Sequence, residues 1–181
     1  MNLTMSNYLV VSALGADQTG IVTELTGLAA DSGCSIADSR MAILGSEFAL
    51  IMMLRGEWNA LAKFEHNLPA LAQKLGLATL LKRTSEAPVK VTLVPYDIHI
   101  VGLDNPGIVC EMANFFSAQA INIVNLETDN YAAPYTGAPM VRLFMTVNIP
   151  KEIHIADLRE QFLLFCDDLN LDAIMEPAKG P

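Results

Sequence analysis

Basic residues are scarce in this chain. Eleven lysines and arginines stand against twenty aspartates and glutamates, for a formal net charge of −9. A protein that grips nucleic acid unaided gathers its basic side chains on one face, because phosphate neutralisation supplies most of the affinity. Here Lys82-Arg83 is the one adjacent basic pair. That scatter excludes direct nucleic-acid binding as an expectation and favours a protein or small-molecule partner. Cysteine is equally sparse. Cys34, Cys110 and Cys166 are far apart and form no CxxC pair, which excludes a disulfide framework and a zinc site. His66, His99 and His154 lie too far apart for metal-ligand spacing. No GxSxG elbow, no GxGxxG loop and no GK[ST] ending occurs, and no paired carboxylates flank a nucleophile. An enzyme, a cofactor and a metal are therefore not expected. The apolar runs are too short for a membrane-spanning helix. No basic segment followed by a long apolar run opens the chain, so a soluble, cytoplasmic protein without a signal peptide is the expectation.

What the chain has in abundance is apolar residues, 52% of the total, and a repeat. Leu14-Gly15-Ala16-Asp17-Gln18-Thr19-Gly20-Ile21-Val22 reappears as Val101-Gly102-Leu103-Asp104-Asn105-Pro106-Gly107-Ile108-Val109. Glycine, aspartate, second glycine and an aliphatic pair fall in register, so the chain reads as two copies of one module. With 181 residues each copy has a small domain's worth of chain. The division predicted is residues 1–85, a polar linker at 86–90, and residues 91–181. Small domains leave apolar surface uncovered, which makes a homo-oligomer one expectation.

The patterning supplies the elements. Tyr8 to Leu14 is a short run rich in β-formers that ends at a glycine turn. Ile21, Val22, Leu25, Leu28 and Ala29 follow at helical spacing, and Gly33 stops them. Cys34 to Leu44 and Phe48 to Leu54 form a hairpin about Gly45-Ser46. Glu57 to Lys74 is an amphipathic helix in which Pro69 predicts a kink or a break. Leu77 to Lys82 is the last strand. The order β-α-β-β-α-β is the ferredoxin-like arrangement. The second copy repeats it from Val91, with Pro95 tolerable only at an edge or a bulge. Its hairpin loop, Ala132 to Pro139, is longer than the first copy's and carries Tyr135. The fold class expected is α+β, two tandem ferredoxin-like βαββαβ domains with antiparallel sheets.

Candidate site residues cluster at the repeated turn. A strand-to-helix turn aims backbone N–H groups and the positive end of the helix dipole at whatever precedes the helix, which favours a carboxylate. Asp17 and Asp104 either cap the helix or accept the ammonium of a zwitterionic ligand. Asn122 and Asn125, at the start of the second copy's β2 strand, are placed near the mouth of the Asp104 turn; asparagine both donates and accepts. Ser35 and Asp38 align with them. A solvated strand face accounts for the same two asparagines without a ligand.

A β-α-β-β-α-β module with a D-x-x-G turn opening its first helix resembles the ACT domain, a small amino-acid-sensing module. The likeness spans both halves. Such modules favour D-R-P-G at this turn. Asp104-Asn105-Pro106-Gly107 keeps the proline, whereas Asp17-Gln18-Thr19-Gly20 has lost both middle residues. The resemblance narrows to family members with two modules and no attached enzyme or DNA-binding domain. Tyr8-Leu9-Val10, Ala13 to Asp17, Gly33-Cys34-Ser35-Ile36 to Arg40, Phe48 to Leu54 and Trp58-Asn59-Ala60 carry it. It implies repression of glycine cleavage gene expression through a LysR-type transcriptional activator, which the chain would bind and block. Glycine would relieve the block. The implied ligand set is Asp104, Asn105, Gly107 and Ile108, with Asn122 and Asn125, and Asp17, Gly20 and Ile21 in the first copy. A sensor of another small amino acid, or a detached regulatory subunit of a biosynthetic enzyme, is the alternative.

Overall fold

A computed structural model describes residues 7–85 and 92–178, in two compact units, Met1–Pro88 and Val89–Pro181. The linker expected at 86–90 and the start of the second copy at Val91 lie outside the described residues.

The first unit runs β1 (Asn7–Ala16), α1 (Ile21–Asp31), β2 (Ser35–Leu44), β3 (Glu47–Gly56), α2 (Trp58–Leu75), β4 (Ala78–Thr84). Its antiparallel sheet has the order β2-β3-β1-β4. Alternation sorts the side chains: Leu9, Val11 and Ala13 of β1 and Phe48, Leu50, Met52 and Leu54 of β3 are buried on one face. Ile21, Leu25 and Ala29 of α1 and Leu61, Phe64, Leu68 and Ala72 of α2 complete that core. Each large side chain so buried contributes about 1.5–3 kcal/mol of transfer free energy. The first glycine of the repeated motif is sterically required. A Cβ on Gly15 would lie 2.7 Å from the Gly76 carbonyl oxygen.

Helix α2 is continuous from Trp58 to Leu75 with Pro69 inside it, so the break expected at the proline does not occur. Leu61, Phe64, Leu68 and Ala72 keep one buried face on both sides of Pro69. Their combined burial exceeds the roughly 3 kcal/mol that an internal proline costs.

The second unit runs β5 (Leu93–Leu103), α3 (Ile108–Ala118), β6 (Asn122–Ala132), β7 (Pro139–Pro150), α4 (Ile155–Asp168), β8 (Leu171–Pro177), in the order β6-β7-β5-β8. All of its pairings are antiparallel. Its core joins Ile98, Ile100, Met112, Leu143, Met145 and Val147 to Phe116 and Phe162, whose rings lie 5.3 Å apart. Pro95 sits on a central strand, one residue beyond the end of its ladder with β8. The β5–β8 register closes at Tyr96 and Pro177, and the Pro95 carbonyl accepts the Ala178 N–H at 3.0 Å. The donor that proline lacks is missing only where the ladder ends.

Both units carry a bulge at the same place. Register shifts between Ile36 and Asp38 against β3, and between Ile123 and Asn125 against β7, 87 residues later. The extra residue turns the rest of the strand over. Asn122 opposite Asn148 and Asn125 opposite Thr146 thereby share the sheet face away from the helices, although odd spacing in a regular strand would separate them.

Candidate functional site

The repeated turn has one backbone geometry in both units. Gly20 (φ 101°) and Gly107 (φ 99°) are the residues that precede α1 and α3, and each is left-handed. That conformation favours glycine. The capping position is therefore held by a residue with no side chain, and neither helix has a side-chain cap. This corrects the reading of Asp17 and Asp104 as caps. Both aspartates instead use their backbone: the Asp17 N–H donates to the Ser46 carbonyl and the Asp104 N–H to the Pro139 carbonyl, each at 2.9 Å. The β1 and β5 ends are thus tied to the hairpin that follows.

The side chains then diverge. Asn130 Nδ2 donates to Asp104 Oδ2 at 2.8 Å. This holds the carboxylate at the mouth of an open hollow of about 560 Å³. Its wall is the turn itself, the first residues of α3 to Cys110, and Ala113, Thr128, Asn130 and Val141. The Glu111 N–H closes the first helical bond onto the Gly107 carbonyl, and the N–H groups of Val109 and Cys110 have no backbone acceptor among the described residues. The hollow accordingly presents free donors at the positive end of a helix beside a fixed carboxylate and the carbonyl oxygen of an asparagine. A zwitterion of the α-amino-acid type matches that set, carboxylate to the amides and ammonium to Asp104.

In the first unit Ile43 occupies the position of Asn130, on the same rung relative to the turn. An isoleucine has nothing to donate to Asp17, whose carboxylate has no partner among the described residues. Met41 likewise stands where the second unit has Thr128, and both Met41 and Ile43 are about half exposed. Gln18 adds a restraint that the second turn lacks, its Nε2 donating to the Leu75 carbonyl at 2.7 Å.

Of the residues picked out from sequence, Asp104, Asn105, Gly107 and Ile108 are brought together around the hollow. Ile108 and Ile21 are core residues by their side chains, so each offers only its backbone. Asp17, Gly20 and Ile21 form the matching first turn. Asn122 and Asn125 are not near the Asp104 turn. Asn125 pairs across Thr146 to Asp97, six residues along β5 from Leu103, which is about 20 Å away. Strands β5 and β6 point the same way, each being antiparallel to β7, so it is the end of β6 that lies beside the Asp104 turn. Asn130 and Thr128 occupy that end. The missed signal was topological, since the hairpin loop after β6 must lie at the end of the sheet where β5 stops.

Among the other titratable groups, the shifts follow pairing and burial. Arg83 grips Glu65 through two hydrogen bonds of 2.7 Å, and that pairing raises its pKa. Burial pushes the Cys166 thiol up to about 12, with Asp167 adding to the shift, and raises that of Cys34, which Arg83 partly opposes. Cys110 is exposed. Among the described residues no group of three or more His, Cys, Asp or Glu could hold a metal ion, and no helix is long and apolar enough to cross a membrane.

Comparison with known proteins agrees with this architecture. Residues 7–82 match the family model of the ACT domain. The chain is 34% identical over 170 residues to the glycine cleavage system transcriptional repressor of Escherichia coli (strain K12), covering 94% of this chain and 90% of that protein. The repressor of the same name from Shigella flexneri matches equally. A crystal structure of a candidate glycine cleavage system transcriptional repressor superposes with a TM-score of 0.75 at 26% identity, over 97% of this chain and 99% of that one. An unknown protein from Galdieria sulphuraria superposes with a TM-score of 0.77 at 25% identity, over 96% and 99% of the two chains.

Proposed function

The chain belongs to the family of the glycine cleavage system transcriptional repressors, proteins of tandem ACT modules, and on that premise we propose that it is a regulator rather than an enzyme, represses expression of the glycine cleavage genes, and senses glycine in its second module. The repression acts through protein contact: the chain binds a LysR-type transcriptional activator and blocks it. Glycine seated at Asp104, Asn105, Gly107 and Ile108 relieves the block. The observation that carries this reading is the hollow in which Asn130 fixes the Asp104 carboxylate opposite the unpaired amides of α3.

The magnitude suits a metabolite sensor. Glycine has five heavy atoms, and the best small ligands gain about 1.5 kcal/mol per atom. The ceiling is then about 7.5 kcal/mol, a dissociation constant no tighter than a few micromolar. Relief requires only that the glycine-bound form have a different affinity for the activator; a coupling of about 1–3 kcal/mol changes that affinity 5- to 150-fold. Asn122 and Asn125 cannot reach the same glycine within one module. They belong to the site only if a second module or a second copy of the chain brings them to it.

Calorimetry tests the reading. Titration with glycine is expected to give saturable heat in the micromolar to millimolar range, and bound glycine is expected to slow alkylation of Cys110 at the wall of the hollow. Heat from another small amino acid with none from glycine would move the protein to the alternative, a sensor of that amino acid. Co-purification of the activator that survives saturating glycine would remove the relief mechanism.

A further inference from the structure

We propose that the open face of the second module's sheet is the surface that docks the protein partner, and that it receives a basic helix. This inference rests on the repressor reading above and adds to it the surface and the chemistry of recognition.

The helices cover one face of the sheet β6-β7-β5-β8, and the alternate side chains form the other. The register fixes their layout. Asn125, Thr146, Asp97 and Glu176 make one row across the four strands; Glu127, Phe144, His99 and Ile174 make the next; Asp129, Arg142, Val101 and Asp172 make the third. The centre of the face is an aromatic patch, with His99 and Phe144 rings 4.9 Å apart, Val101 next to them and Ile174 61% exposed on β8; Thr146, which donates to Asp97 at 2.8 Å, and Arg142 stand on either side of it. Its two outer strands are rails of carboxylates, Glu127 and Asp129 on β6, Asp172 and Glu176 on β8, all exposed. Arg142 is the single formal positive charge in these rows. It stands 3.8 Å from Asp129, while Asp172 and Glu176 have no ion-pair or hydrogen-bond partner among the described residues.

A small aromatic and aliphatic patch ringed by charge is the anatomy of a docking surface, and the charge states what fits. The rails are three strand spacings apart, about 14 Å. A helix with its side chains is about 10–12 Å across. A helix laid between the rails would cover Phe144, His99 and Val101 while its lysines and arginines reached the carboxylates on either side. The first module's sheet does not offer this. At the matching rungs it carries Arg40 for Glu127, Ala42 for Asp129, Ala78 for Asp172, Lys82 for Glu176 and Val10 for Asp97. The acidic rails therefore belong to one copy of a duplicated fold, although strand pairing requires them in neither.

The test uses the full chain and the purified LysR-type activator of the glycine cleavage operon, with affinity measured by biolayer interferometry from 50 to 200 mM salt. Wild type is expected to bind and to weaken at least tenfold over that range. The pair Glu127→Lys with Asp172→Lys is expected to lose at least 30-fold in affinity at 50 mM salt and most of the salt dependence. A milder pair, Glu127→Gln with Asp172→Asn, is expected to lose about fivefold while keeping the wild-type melting temperature. The control pair Glu152→Lys with Glu160→Lys makes the same change of net charge away from this face and is expected to change affinity less than twofold. If wild type fails to bind the activator at any salt, the repressor reading falls and this surface with it. Wild-type binding that both rail pairs leave intact, or that the control pair weakens equally, overturns the surface alone.

Discussion

At the rung where the second module sets Asn130 against Asp104, the first sets Ile43 beside Asp17, and the two modules part company there. Strand order and bulge position are the same, and the turn glycines agree to within a few degrees of φ. What differs is side chains projecting from a common frame. Around the second turn they are Thr128 and Asn130; around the first, Met41 and Ile43. On the open sheet faces the contrast repeats, with carboxylates on β6 and β8 against alanine, arginine and lysine on β2 and β4. The first module's open face is lined by Leu14, Ile51, Leu44 and Leu80, each at least half exposed. Duplication preserved the apolar character of the core, as at Val11 and Ile98 or Leu25 and Met112, while around the turns and on the open faces polarity itself has changed. Polar side chains thus surround the second turn and apolar ones the first.

Alkaline titration should separate the modules most widely. Cys166 is buried in the second, and its pKa is raised from 9.0 to about 12. Its protonated form is the one the fold prefers, so its contribution is complete below pH 9 and is lost as pH rises toward 12. The loss approaches about 4 kcal/mol at the upper end. Trp58, the chain's one tryptophan, lies in the first module and serves as that module's probe. Far-UV circular dichroism is expected to fall at lower pH than Trp58 fluorescence changes, and Cys166→Ala should bring the two curves together. Coincident curves in the wild type would break the comparison.

Next in size is the binding asymmetry. Asp104→Asn is expected to weaken glycine binding about 30-fold by calorimetry, roughly 2 kcal/mol, in the range for a hydrogen bond to a charged group. Asp17→Asn should change it less than twofold. Equal losses from the two would show that Asn130 does not distinguish the turns.

The smallest difference expected is none at all. Gly20→Ala and Gly107→Ala place a Cβ in the same left-handed conformation with nothing within 4 Å to clash. Each is expected to cost about 1–2 kcal/mol in urea-unfolding stability, and the two costs should agree within about 0.5 kcal/mol. A clear inequality would mean that the ligand site stores strain in one turn only.

Much of this was legible in the residues. The 87-residue offset and the β-α-β-β-α-β order depend on local periodicity and turn chemistry, which a linear reading can weigh. The hollow was half legible, because Asp104 and the helix start are contiguous. Asn122 and Asn125 misled because their distance from the turn depends on strand direction and pairing. No break occurs at Pro69 because its local cost is outweighed by a buried face that only the packed helix displays.

The chain alone therefore specified its duplication and its elements, since repeated residues and local periodicity are properties of neighbours in sequence. Which side chains meet was settled by packing. Antiparallel register carried Asn130, rather than Asn122, to Asp104. One extra residue at the bulge placed both earlier asparagines on the open face with the carboxylates. Register is a property of strands paired across the sheet, held by the burial of one face, and that pairing joins residues far apart in the chain.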